Sequence, residues 1–123
     1  MGSKKNIKMN LMQFFVAGYK AGIQQVNDSS AQSIIIRVAE YFGVSVQEIL
    51  SRRRNRRIAN ARKVAMYLLW RETDLTIAEI GKMVNRHHSS VIWARNEINH
   101  VLKFPESDPW VHRAVLANSK NDR

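Results

Sequence analysis

Apolar residues recur at helical spacing along most of this chain, and polar capping residues mark where one helix stops and the next begins. The clearest stripe is Ile34, Ile35, Val38, Tyr41 and Phe42, which predicts a helix over 31–42 with Gly43 just past its end. Asn27, Asp28, Ser29 and Ser30 read as a linker that leads into it. Upstream, Ile7, Leu11, Phe14, Phe15 and Gly18 predict an amphipathic helix over residues 7–22. Ser45 with Glu48, and Thr76 with Glu79, have the spacing of capping boxes and predict short helices over 46–50 and 77–83. Between them Val64, Ala65, Leu68 and Leu69 line a helix over 61–72, with Asn60 placed to cap it. A turn at 84–87 feeds a further helix that runs to about residue 102, and Pro105 stops it. Ser107, Asp108 and Pro109 open a last short helix, since proline suits the first helical position. No strand pattern and no repeat is present. The expected fold is all-α: a helical bundle with a helix-turn-helix, an extra N-terminal helix and a short C-terminal helix.

Charge changes this picture more than composition does. Of 123 residues, 45% are hydrophobic and 24% charged, which is ordinary, but the net charge is +10. Such an excess favours polyanions, either nucleic acid or an acidic membrane surface. It is concentrated in RRRNRRIANARK, residues 52–63, where Arg52, Arg53, Arg54, Arg56, Arg57, Arg62 and Lys63 stand without an acid among them. The nearest upstream acid is Glu48, so internal pairing cannot absorb the run, whereas phosphates can. An arginine in an extended stretch is also suited to a narrow minor groove. A solvated surface run is the plain alternative, and RNA or acidic lipid are rival partners. The chain has no cysteine, and no apolar run approaches the roughly 20 residues of a membrane span.

The helix after the turn begins with polar residues. Arg86, His87, His88, Ser89 and Ser90 cluster at its N-terminal end, the part of a helix-turn-helix that enters the major groove. Hydroxyls and imidazoles there reach base edges, and free backbone N–H groups reach phosphate. Ala78 and Gly81 are small enough for the two helices to cross closely. An ordinary polar turn in a helical bundle would leave a similar local pattern; the basic run nearby is what favours nucleic acid. Adjacent His87 and His88 diverge around a helix and make a poor metal pair, with His100 and His112 too distant in sequence to complete one. Tyr67 and Trp70 read as core, and Trp110 as the anchor of the C-terminal helix. Trp93, one turn beyond Ser89, reads either as core or as a flank of bound DNA. No phosphate-binding loop, nucleophile elbow or paired-carboxylate site is present, so neither enzyme activity, a small-molecule substrate nor a cofactor is expected.

Three collinear blocks, VAEYFGVSVQEILSRRR, RRIANARKVAMYLL and LTIAEIGKMVNRHHSSV, make residues 33–102 similar to the C-terminal DNA-binding domain of the bacterial chromosomal replication initiator, the DnaA family. The resemblance implies that Arg56 reaches the minor groove. It implies that Arg62, with Lys63 in the place of a glutamine, contacts phosphate, and that Arg86 is the family's turn arginine. It gives His88, Ser89 and Ser90 the role of reading bases. The chain also departs from the family pattern. The signature aspartate is His87, Asn60 and Ala61 replace an Arg-Pro pair, the turn is one residue shorter, and Trp93 stands where many members have histidine.

These readings predict three parts: residues 1–30 as an arm and amphipathic helix, 31–103 as the DNA-binding domain, and 104–123 as a short helix and tail. The expected function is sequence-specific binding of double-stranded DNA in replication or transcription control. The rivals are a protein-interaction module and an RNA binder. No ATPase module accompanies the domain, so the chain reads either as an excised domain or as a stand-alone relative. The second is expected, cytoplasmic and nucleoid-associated, of the kind found in phages, mobile elements or small regulators. Residues 7–22 are the expected face of a homodimer.

Overall fold

The computed structural model describes residues 25–119, with side chains described from Ala31 onward. The N-terminal helix expected over 7–22, and the dimer face assigned to it, lie outside the described residues. The described part consists of α1 (Gln25–Phe42), α2 (Val46–Ile49), α3 (Arg56–Glu72), α4 (Ile77–Met83), α5 (His88–Lys103), a 3-10 turn (Pro105–Ser107) and α6 (Pro109–Asn118). It contains no strand.

The segment expected to be a linker, Asn27 to Ser30, is instead helical, and α1 begins at Gln25. Its C-terminus is set by Gly43, which takes φ +68°; Gly43 N–H donates to the Glu40 carbonyl and Val44 N–H to that of Ala39. A side chain at that φ would be strained, which is why glycine ends the helix. Ala31, Ile34, Ile35, Val38 and Ala39 form its buried face. Tyr41 does not join them: it is 45% exposed at the rim, and Phe42, one position on, takes the inward place.

α3 is the central helix and touches all five others. Every residue from Val64 to Leu69 is buried, so it has no wet face through its middle. It starts earlier than the apolar pattern alone suggests. Asn55, not Asn60, is its N-cap, with the side chain accepting from Ile58 N–H at 2.9 Å. Four of the seven basic residues of the run, Arg56, Arg57, Arg62 and Lys63, therefore lie on a helix rather than in an extended stretch of chain.

Both expected capping boxes form. Ser45 and Glu48 exchange hydrogen bonds of 3.0 Å at α2, and Thr76 and Glu79 do the same at α4. Gly81 lies where α4 crosses the start of α5; an added Cβ would sit 2.6 Å from the Arg86 carbonyl oxygen and 3.4 Å from His88 Cα. Ala78, expected to share that role, is exposed. Asp108 caps α6 at Val111 N–H. Val111, Ala114 and Val115 bury α6 in the same core as α1, α3 and α5. Trp110 is not its anchor: 73% of it is exposed in the first turn, where the Arg113 guanidinium sits 5.5 Å from its ring centroid.

Candidate nucleic-acid interface

The turn between α4 and α5 is held in one shape. Arg86 N–H donates to the Gly81 carbonyl at 2.7 Å, and Asn85 adopts φ +60°. Asparagine tolerates this left-handed conformation better than most residues, and here its side chain also works. Asn85 Nδ2 donates to the Leu50 carbonyl at 3.1 Å, which ties the turn to the loop that follows α2. His87 is the N-cap of α5: its Nδ1 accepts from Ser89 N–H and its carbonyl from Ser90 N–H, and His88 and Ser89 stand exposed at that helix end.

The loop over residues 51–55 is held from the other side by Arg62. Its Nε donates to the Ile49 carbonyl at 2.7 Å, and its Nη2 to the carbonyls of Ser51 and Arg53, each at 3.0 Å, and of Glu48 at 3.3 Å. Arg62 is only 5% exposed. This corrects the expectation that Arg62 contacts phosphate: it shapes the basic loop from within. Burial, and then the nearby Arg86 charge, push its pKa down to about 10, which still leaves it protonated at neutral pH.

These two ties bring residues distant in sequence to one open groove of about 590 Å³, lined by Arg52, Gly81, Lys82, Asn85, Arg86, His87 and Ser90. Arg86 is half-buried, and its pKa is lowered by burial first and then by the charges of Arg52 and Arg54. The arginines therefore crowd one another without an acid between them, and an anion in the groove would relieve that repulsion. Arg54 is exposed beside this cluster.

Arg56 and Arg57, both exposed, occupy the first turn of α3 and line a second hollow of about 460 Å³ with Asn55, Gly43, Val44, Glu48 and Ile58. Arg53 turns to Glu48, 3.2 Å away. Farther along α5, Trp93 is 54% exposed, and the ammonium of half-buried Lys63 sits 5.2 Å from its ring centroid. Trp93 therefore lies outside the core. Sequence reasoning missed Lys82 and Asn85. The signal for Asn85 was its place in a shortened turn, where a left-handed residue is needed.

The match to known proteins coincides with this geometry. Residues 31–98 match the family described as the bacterial DnaA protein helix-turn-helix. The chain is 44% identical over 71 residues to the chromosomal replication initiator protein DnaA of Lachnoclostridium phytofermentans, covering 57% of this chain and 16% of that protein. It is 35% identical over 97 residues to the DnaA of Chloroflexus aurantiacus, covering 78% of this chain and 20% of the relative. With the DnaA of Caldanaerobacter subterraneus the figures are 28% over 110 residues, 85% and 23%. The chain thus spans about a fifth of the length of these relatives. With more than half of its residues inside the family match, the chain belongs to the bacterial DnaA helix-turn-helix family.

Proposed function

We propose that this protein binds double-stranded DNA in a sequence-specific manner and acts in the initiation of replication or in transcription control. The observation that carries the reading is the joining of the basic loop to the start of α5 through Arg62 and Asn85. Phosphate-binding cations and a polar helix N-terminus then form one rigid surface. Arg52, Arg54, Lys82 and Arg86 neutralise phosphates along the groove. Arg56 and Arg57, in the first turn of α3 directly after the loop, suit the adjacent minor groove. His88, Ser89 and Ser90 meet base edges, with His87 beside them. Lys63 and Trp93 flank the backbone farther along α5. No catalysis, cofactor or membrane enters this reading, and among the described residues no helix is long and apolar enough to cross a membrane.

Selection from a random duplex library, followed by fluorescence anisotropy on the enriched site, a scrambled duplex and single-stranded RNA, tests the proposal. The expected result is one enriched motif, bound at least about a hundredfold more tightly than the scrambled duplex. Equal affinity for all three ligands would leave only a nonspecific polyanion binder.

A further inference from the structure

The hydrogen bonds at the start of α5 determine which atom His87 presents to a ligand. Ser89 N–H donates to His87 Nδ1 at 3.1 Å, and Ser89 Oγ lies 2.8 Å from the same nitrogen. A backbone N–H can only donate, so Nδ1 must carry its lone pair inward. The proton of the neutral ring is then on Nε2. His87 is exposed and lines the groove beside Arg86 and Ser90, and among the described residues its Nε2 has no hydrogen-bond partner. The ring of His88 lies against it, centroids 4.3 Å apart and planes inclined by 33°, which limits its rotation.

We propose that His87 is a specificity-determining residue whose Nε2–H donates to a guanine in the major groove and discriminates against cytosine. The inference rests on the DNA-binding reading above and deepens it. Guanine shows two acceptors in the major groove, N7 and O6, whereas cytosine shows the N4 amine donor. Two donors facing each other repel. An aspartate in this position, the residue of the family pattern, caps the helix equally well but presents acceptors alone, which suit cytosine. The histidine therefore keeps the cap and inverts the hydrogen-bonding sense of the surface. Cap geometry and base preference are coupled here through one imidazole.

The variants His87→Asp and His87→Asn test this, because both retain a side-chain acceptor for the Ser89 N–H and should keep the fold. Site selection is run on all three proteins, and circular-dichroism melts check folding. The wild type should select guanine at one position, His87→Asp cytosine at that position, and His87→Asn adenine through its N6 and N7 edge. Each swap should change the preference there on the order of tenfold and leave the other positions alone. Long-range nitrogen–proton correlation spectra of the free protein should show protonated Nε2 and bare Nδ1. A proton on Nδ1 of the neutral ring overturns the proposal, and so does an enriched motif that is unchanged in both variants. That second result leaves specific DNA binding standing. Absence of any enriched motif in the wild type removes both readings together.

Discussion

Arg62 shows how far the meaning of a residue depends on the direction it faces. Within the basic run it is one cation among several, yet it lies four residues after Ile58 and three before Ala65, on the buried stripe of α3. That periodicity is legible in the sequence, although charge alone does not separate Arg62 from the exposed arginines before it. Replacing it strips hydrogen bonds from the carbonyls of Glu48, Ile49, Ser51 and Arg53. Arg62→Ala should therefore cost about 3 kcal/mol of stability in urea denaturation, since lost charge-assisted bonds and stranded acceptors are each worth about 1–3 kcal/mol. A loss below about 1 kcal/mol would mean that the loop holds its shape without it. Arg86 is the opposite case. It is disfavoured by burial and by Arg52 and Arg54, so neutralising it relaxes the free protein while weakening the complex. Arg86→Gln should raise stability slightly at low salt, by a few tenths of a kcal/mol at most in chemical denaturation, since Arg52 and Arg54 are exposed. DNA affinity should fall about tenfold at the same salt. A variant that loses both stability and affinity would point to a packing role instead.

At the scale of elements, the helices around the core were legible because apolar spacing and capping boxes reported the same boundaries. The start of α3 was not: Asn60 has the residue type of a cap, but the cap that forms is Asn55, five residues earlier within the basic run. Two arginines in a first turn oppose the helix dipole. Burial of Ile58 and Ala61 outweighs that cost and draws the first turn into the helix. Asn55→Ala should accordingly cost about 1 kcal/mol, the usual worth of a side-chain cap, while Asn60→Ala should be neutral within about 0.5 kcal/mol. Thermal or chemical denaturation distinguishes the two, and the reverse order would restore the later start. The link between turn and loop was also hidden, since nothing local to Asn85 signals a bond to Leu50, 35 residues earlier. Gly81 is different: a small residue at a helix crossing can be read from sequence, and Gly81→Ala should destabilise the domain by about 1–3 kcal/mol, since its Cβ would press on the backbone of the turn.

At the scale of the molecule, the net charge of +10 overstates what faces a duplex. Arg62 is interior, and Arg53 shares its charge with Glu48. Arg52, Arg54, Arg56, Arg57 and Lys82 remain exposed, and Arg86 opens onto the groove beside them. If those six each neutralise one phosphate, the logarithm of affinity should fall against the logarithm of salt concentration with a slope of about −5. The same arithmetic separates neighbours in the loop. Arg54→Ala removes an unpaired cation beside Arg86 and should flatten the slope by about 0.9. Arg53→Ala removes a cation and also frees the Glu48 carboxylate it faces, so affinity should drop at low salt while the slope moves by less than that of Arg54→Ala. Both variants leave the Arg62 bonds to backbone carbonyls intact, so folding is not in question for either. Equal slopes for the two would show that DNA pulls Arg53 away from Glu48 and recruits the whole arginine loop.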